Sequence, residues 1–527
     1  MISPAMFLAS ENPFLQYVQR IFTPDPFRAV YQVNGFDLLI LVPYFAVLII
    51  LAFYGLHRYY LVYAYYRHRK NRPATPSGPL EPLPRVTIQL PVYNERYVVE
   101  RLIEEACRME YPRDLLEIQV LDDSTDDTVS LAQACVARYA ALGHSIRYCH
   151  RDNREGFKAG ALAEGLKTAT GEFIAIFDAD FLPPADFLER TIPYFADLRV
   201  GMVQTRWDYI NRHYSWLTEV QGILLDGHFV FEHGARSRSG CFFNFNGTAG
   251  IWRRQAIEEA GGGQHDTLTE DTDLSYRAQL CGWKFLYLPE VACDSELPVE
   301  MNAFKTQQQR WAKGSVQVCK KLLPRVLASD LTWREKVEAT FHLTANLAYP
   351  LMVLLAGLMF PAMLLRYNMG WAEMIVVDVP IFLAATASVC TFYALSQKEQ
   401  FADTWKTKLR YIPAVLGIGV GISINNALAV IEGLFGKPSE FTRTPKYGIE
   451  GSGDTWKQKA YKGKSNWVPY AELALACYFT FTSLYALANG LVGTLPFIAI
   501  FQWGFLYTSG MSLAQSYDWL VPRQQEA

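Results

Sequence analysis

The chain has 527 residues, 50% of them hydrophobic and 19% charged, enough for a soluble domain of ordinary size together with several membrane spans. Its net charge of -3 leaves no basic excess, which argues against a nucleic-acid partner, since phosphates call for a cluster of Lys and Arg. The nine cysteines form no CxxC pair, so reduced, buried thiols such as Cys107, Cys135 and Cys281 are expected in place of a zinc site, in a reducing compartment.

Residues 1–34 lack the basic start, short apolar run and small-residue cleavage site of a secretory signal, and nothing in them predicts removal. Residues 38–54 are then continuously apolar, with Asp37 before them and His57, Arg58, Arg67, Arg69, Lys70 and Arg72 after. A helix needs about 20 apolar residues to cross the hydrocarbon core, and positive charge collects on its cytoplasmic flank. The pattern predicts an outside N-terminus and a cytoplasmic residue 70, followed by a proline-rich linker over 71–84.

From residue 85 to about 300 the composition is that of a soluble domain. Strand-like runs at 86–90, 116–121 and 173–177 alternate with helical stretches at 95–109, 126–142 and 156–168. That rhythm predicts an α/β fold with a mainly parallel sheet, which binds ligands at the carboxyl ends of its strands. The chemically suggestive residues fall at those ends. Tyr93 and Glu95 follow the first strand, and Asp122 and Asp123 the second, where carboxylates can accept hydrogen bonds from a base or ribose. Asp126 and Asp127 read as helix caps.

The third strand ends in Asp178-Ala-Asp180. Side chains two apart on a strand share a face, so both carboxylates can reach one hard cation, Mg2+ or Mn2+, that bridges a departing diphosphate. A solvated turn explains many isolated D-x-D pairs, but this one follows an apolar strand. Lys158 lies where a loop opens a helix, a place suited to phosphate. The nucleotide is therefore assigned to Tyr93, Glu95, Asp122, Asp123, Lys158 and Asp178, and the metal to Asp178 and Asp180.

Thr269-Glu270-Asp271 opens another helical stretch, where one carboxylate can deprotonate an acceptor hydroxyl. Asp271 is the choice, Glu270 and Asp273 are alternatives, and helix capping accounts for either Asp. Gln307, Arg310 and Trp311 share one helical face, offering an indole platform for a sugar ring and a guanidinium for phosphate. The same face also suits an amphipathic helix lying against lipid.

The ordered set Asp122-Asp123, Asp178-x-Asp180, Thr269-Glu-Asp271 and Gln307-x-x-Arg310-Trp311 resembles the processive inverting glycosyltransferases of family 2, which include cellulose, hyaluronan and chitin synthases. Gly156-Phe-Lys-Ala-Gly-Ala, Phe177-Asp-Ala-Asp-Phe, Phe245-Asn-Gly-Thr-Ala-Gly-Ile-Trp252 and Gly282-Trp-Lys-Phe-Leu-Tyr-Leu are similar to plant cellulose synthase-like mannan and glucan synthases and their bacterial relatives. The resemblance covers residues 85–465. It implies a cytosolic GT-A-type nucleotide-sugar domain inserted between transmembrane and interfacial helices. By it the first Asp pair touches the nucleotide, the Asp-x-Asp holds the metal, Asp271 is the base and Trp311 floors the acceptor site. Phe441, Thr442, Thr444 and Lys446 are similar to the gating-loop motif F-x-V-T-x-K that closes over the nucleotide, with Arg443 where the motif has Val. Two hydroxyls and a lysine on a polar loop suit a lid that meets diphosphate and excludes water.

Residues 343–365 and 374–395 are long enough to span, as are 468–488 and 492–513, giving five crossings with the first. Residues 411–435 are apolar but contain Asn425, Asn426 and Glu432 between positive flanks, and read as interfacial or re-entrant. The predicted divisions are 1–36, a first span with its basic flank over 37–70, the linker 71–84, the catalytic domain 85–300, interfacial helices 301–340, a helical pair 341–397, the re-entrant segment 398–435, the gating loop 436–466 and a last pair 467–527.

The resulting expectation is an integral protein of a bacterial plasma membrane with a cytoplasmic catalytic domain. It would polymerise a β-1,4-linked mannan, glucan or glucomannan from GDP-mannose or UDP-glucose and carry the growing chain through the bundle, in contact with membrane lipids. Transfer of a single hexose to a lipid is the alternative enzyme. A transporter whose soluble domain only senses a nucleotide fits less well beside a full set of metal, phosphate and base residues.

Overall fold

The computed structural model describes residues 35–516 apart from 75, 77, 367–376, 437–442, 452, 457–458 and 460–465. Phe441 and Thr442 thus lie outside the described residues, as does the start of the span expected at 374–395.

A seven-stranded sheet forms the soluble domain, in the order β3-β2-β1-β4-β6-β5-β7. The strands are β1 Val86–Val92, β2 Leu116–Asp122, β3 Ile146–His150, β4 Phe173–Ile176, β5 Val200–Tyr209, β6 Gly250–Arg253 and β7 Lys284–Ser295. β6 runs antiparallel to both neighbours, while the pairs β1–β2, β1–β4, β2–β3 and β5–β7 are parallel. The chain winds outward from β1 through β2 to β3, then returns to place β4 on the other side of β1. That reversal opens a crevice at the carboxyl ends of β1 and β4, the place where doubly wound sheets take ligands.

β1 and β2 are buried along their whole length because helices cover both faces of the sheet. Polar side chains inside this pair satisfy one another: Thr87 donates to Glu117 at 2.7 Å and Gln89 to Gln119 at 3.0 Å, each pair in direct register. Phe173, Ala175 and Phe177 face one core with Val99 and Leu102, and Ile174 and Ile176 the other with Trp252 and Phe285. This is the period of two expected for a strand buried on both sides.

The helices that position the site are α1 Gly35–Arg67, α2 Val99–Cys107, α3 Thr128–Ala141, α4 Phe157–Thr168, α5 Trp216–Gly227, α6 Glu270–Leu280 and α7 Met301–Ala328. α2 starts four residues later than the sequence predicts, because Asn94 adopts a positive φ of 55° and Glu95 is drawn into the crevice. α3 starts at Thr128, whose N–H is accepted by the Asp126 carboxylate at 3.0 Å, while Asp127 pairs with Arg96 at 3.0 Å. Cys107 and Cys135 are buried, but Cys281 is exposed, contrary to expectation, because it falls on the turn after α6.

Among the described residues, five helices are long and apolar enough to cross a membrane: Asp37–Arg67, Trp333–Arg366, Val379–Gln400, Val468–Ala488 and Val492–Ser516. α1 outruns its apolar core by including the basic flank, and Leu39, Val42, Phe53 and Tyr63 on it are exposed, as a lipid-facing surface requires. The stretch expected to be interfacial or re-entrant forms two helices, Trp405–Gly421 and Ser423–Phe435, bent by 44°. α7 is bolted to this bundle: Lys305 reaches Glu472 at 2.5 Å and Ser512 at 2.7 Å, and Lys313 reaches Glu432 at 2.9 Å.

Candidate active site

A cavity open to solvent lies at the carboxyl ends of β1 and β4. Tyr93, Glu95 and Asp123 line it from the turns after β1 and β2, and Asp178 and Asp180 from the turn after β4. Lys158 enters from α4, Glu270 and Asp271 from α6, Gln307, Arg310 and Trp311 from α7, and Thr444 and Lys446 from the segment after the bent helix pair. Residues up to 353 positions apart in sequence therefore meet in one crevice.

Asp122 is set apart from this group. It is fully buried, with its carboxylate accepting from the Ser124 N–H at 2.8 Å and the Tyr148 hydroxyl at 2.6 Å, so it shapes the turn that presents Asp123. Asp123 itself is gripped on both oxygens by Arg151, at 2.7 and 2.5 Å. Tyr93 is covered by the guanidinium of Arg154, 3.3 Å from the ring centroid.

Each acid of the Asp-x-Asp pair meets an ammonium. Lys158 Nζ lies 2.5 Å from Asp178, and Lys446 Nζ lies 2.5 Å from Asp180. Gly156, at φ 70°, takes the left-handed conformation that starts α4 and aims Lys158 inward. Burial lowers the Lys158 pKa, but the charges of Asp178 and Glu270 outweigh it and hold the ammonium protonated. Among the described residues no group of three or more acids, His or Cys could hold a metal by itself. Asp178 and Asp180 supply only hard oxygen donors, so they fit a small divalent cation that completes its shell of about six oxygens from phosphate and water.

Asp271 is pushed up to about 7, first by burial and then by the neighbouring Glu270 charge, with Lys158 opposing. Glu270 is raised as well, chiefly by burial. The main chain comes unusually close here. Lys158 Nζ donates to the Gly247 carbonyl at 2.9 Å, and a Cβ at Gly247 would lie 2.9 Å from Asp271 Oδ2. Gly247 also has φ 82°, so its lack of a side chain serves both the turn and the approach. The same loop holds the metal candidate in place, because the Asp178 N–H donates to Thr248 Oγ1 at 2.9 Å. Arg310 feels Asp178, Glu270, Asp271 and Asp180 together, yet burial lowers its pKa overall.

Several participants escaped sequence reasoning. Arg443 Nε donates to Glu95 Oε1 at 2.9 Å, and Glu95 Oε2 is a buried acceptor in the same cavity. Burial pushes Glu95 up to about 8, with Arg443 opposing. Glu296 accepts the N–H groups of Tyr447 and Gly448 at 2.9 and 2.8 Å, and its carbonyl accepts Lys446 at 2.9 Å. Tyr447 donates to Glu300, and Tyr447 and Ile449 are buried against Val299. The downstream half of the expected lid is thus anchored in the protein. The departure of Arg443 from the motif was the one available signal for its role, whereas nothing local marks Glu296.

Comparison with known proteins gives these features a family. Residues 84–314 match the family described as "Glycosyltransferase like family 2". Glucomannan 4-beta-mannosyltransferase 9 of Arabidopsis thaliana is 44% identical over 49% of this chain and 50% of its own length, and glucomannan 4-beta-mannosyltransferase 2 of the same plant is 47% identical over 46% and 47%. The chain spans about half the length of these curated relatives. The alignment with glucomannan 4-beta-mannosyltransferase 7 of Arabidopsis thaliana is longer, at 32% identity over 82% of this chain and 77% of the relative. Among solved structures, the mannosyltransferase PcManGT from Pyrobaculum calidifontis in complex with GDP-Man and Mn2+ is 24% identical with a TM-score of 0.48, covering 75% of this chain and 99% of that one. With a GT-A-type sheet and an extended match to one relative, the chain belongs to glycosyltransferase family 2.

Proposed function

We propose that the protein is a membrane-embedded hexosyltransferase that lengthens a β-1,4-linked mannan or glucomannan from GDP-mannose, with UDP-glucose as a second donor. The observation that carries this reading is the meeting of Asp271, Lys158, the Asp178–Asp180 pair, Arg310 and Trp311 in one cavity. The names of these relatives support mannose as the sugar.

In this reading an acceptor hydroxyl lies on Trp311 and faces Asp271. Asp271 takes its proton as the hydroxyl oxygen bonds to the anomeric carbon, and the bond from that carbon to the diphosphate oxygen breaks on the opposite side, inverting the centre. The diphosphate leaves as an anion and needs no acid; Lys158 and Arg310 lie where its charge would develop. Asp178 and Asp180 would hold a Mg2+ or Mn2+ ion, which when bound neutralises the diphosphate. Tyr93, Glu95 and Asp123 would receive the nucleoside, and Arg443, Thr444 and Lys446 would close the cavity over it.

The domain order follows from the same reading. The sheet domain would be cytoplasmic, in a bacterial plasma membrane, between the first span and the four later ones, and the bundle would pass the polymer outward. The test is to incubate membranes containing the protein with each labelled donor plus Mg2+ or Mn2+, then digest the product with linkage-specific hydrolases. Polymer cut by a β-1,4-mannanase is expected. A single labelled hexose on extractable lipid would instead establish the lipid-acceptor enzyme, and no transfer from any donor would sink both.

A further inference from the structure

α7 has two faces with different tasks. At about 100° of turn per residue, Gln307, Arg310, Trp311 and Gly314 lie about 140° to 240° around the helix from Lys305. Gln307, Arg310 and Trp311 line the cavity. Gly314 brings the same face onto the turn that opens α6, where a Cβ on it would lie 2.5 Å from Thr269 Cγ2 and 2.8 Å from the Thr269 nitrogen. Gln317, a turn further on, accepts the Leu268 N–H at 2.9 Å. Thr269 precedes Glu270 and Asp271, and close-packed contacts transmit displacement, so a small shift of α7 reaches the base.

The Lys305 side of the helix is held by the membrane-type bundle. Lys305 Nζ reaches Glu472 Oε2 at 2.5 Å and Ser512 Oγ at 2.7 Å, and the Lys305 carbonyl accepts from Asn425 Nδ2 at 3.0 Å. Three helices, Val468–Ala488, Val492–Ser516 and Ser423–Phe435, thus converge on one residue. The bent pair and the last helix are themselves locked in backbone contact, since a Cβ at Gly421 would lie 2.5 Å from the Gly504 carbonyl oxygen. Lys305, Glu472 and Ser512 are all buried. A buried ion pair adds little net stability, because desolvating both charges costs about what their attraction returns, but it is strict about place. Sliding α7 by one residue, about 1.5 Å, would strand an ammonium and a carboxylate among apolar side chains, a penalty that packed leucines do not impose.

We propose that Lys305 and Glu472 are positioning residues: their pair pins the register of α7 on the membrane bundle, so that the opposite face of the helix sets Thr269, and through it Asp271, in line with Arg310. This rests on the hexosyltransferase reading given above. The pin acts on the alignment of the reacting groups. It makes no contact with Tyr93 or Asp123, which line the nucleoside end of the cavity on the sheet. Its loss therefore lowers turnover far more than it weakens the donor.

The test uses the full chain in membranes and three readouts: kcat per folded molecule, donor KM and Tm. The double variant Lys305→Met/Glu472→Leu replaces the pair by apolar side chains of similar size, so Tm should stay within about 5 °C of the parent. Its kcat should fall about tenfold, with donor KM changed by less than about threefold. Lys305→Arg keeps a cation opposite Glu472 and should hold kcat within about threefold of the parent. Parental kcat in the double variant overturns the proposal, as does a Lys305→Arg protein that folds yet loses as much kcat as the double variant. Where the double variant does not fold, Ser512→Ala decides. It removes one partner of the ammonium without burying a lone charge, and should lower kcat about threefold at the parental Tm; parental kcat there overturns the pin. No polymer from the unmodified chain with either donor overturns the transferase reading itself.

Discussion

The two walls of the cavity carry opposite charge. The sheet wall and α6 present Glu95, Asp123, Asp178, Asp180, Glu270 and Asp271, whereas α7 and the segment after the bent helix pair present Arg310, Arg443 and Lys446. Lys158 and Arg154 are the sheet domain's own cations in the space between. An acidic wall alone would attract a metal and repel a diphosphate; the basic wall supplies what the substrate's charge requires. Arg443 and Lys446 also lie beyond residues 84–314, the part that matches the family, so that part does not contain the whole charge balance.

The comparison breaks most sharply at the acid that is assigned the proton. Asp271→Asn removes the base and leaves the basic wall untouched, so transfer should fall by about 10²- to 10⁴-fold while nucleotide binding changes little. Full transfer in that variant would move the base to Glu270. Next in size is Lys446→Met, which strips the counter-charge from Asp180, a buried carboxylate. Donor KM should rise by about tenfold or more, with a smaller change in kcat. Equal donor KM in variant and parent would show that Lys446 only anchors the segment.

The division of labour between the walls also explains what the sequence made legible. Strands β1, β2 and β4 are buried on both faces, β4 as an apolar run and β1 and β2 with apolar residues at alternate positions, so the acids at their ends were assignable to one crevice. β3, with Arg147 and His150 among five residues, and β6, with only four, carry too little pattern to register as strands. Asp122 looked equivalent to Asp123, yet it points into the turn, because successive residues at a strand end face opposite sides. Glu296 and the partner of Arg443 were not legible because their contacts reach across 150 to 348 residues, which no local period encodes.

Gly247 tests how closely the main chain must approach the base. Gly247→Ala puts a methyl 2.9 Å from Asp271 Oδ2 and forces a side chain onto φ 82°. The strain is of order 1–3 kcal/mol, and kcat should fall about tenfold as Asp271 is displaced. A variant with parental kcat would show that Asp271 has room to move. The pH profile gives an effect of similar size without any substitution. Asp271 must be deprotonated to accept a proton and is pushed up to about 7, so kcat/KM should drop about tenfold per pH unit below about pH 7 and level off above it. A rate that stays flat down to about pH 5 would exclude a raised carboxyl as the base.

Glu95→Gln should have the smallest effect on activity, for a reason specific to its burial. Burial outweighs Arg443 and raises the Glu95 carboxyl to about 8, so near neutral pH the guanidinium meets a largely neutral acid that a carboxamide copies. Donor KM should then stay within about twofold at neutral pH. Stability separates the two proteins more clearly. The folded chain keeps the Glu95 proton while the unfolded chain loses it between the ordinary value of 4.5 and about 8, so stability falls as pH rises through that window. Gln has no proton to lose. The Tm of Glu95→Gln should therefore gain on the parent between about pH 5 and about pH 8 in donor-free membranes, and a constant difference across that range would mean that Arg443 keeps Glu95 ionised throughout.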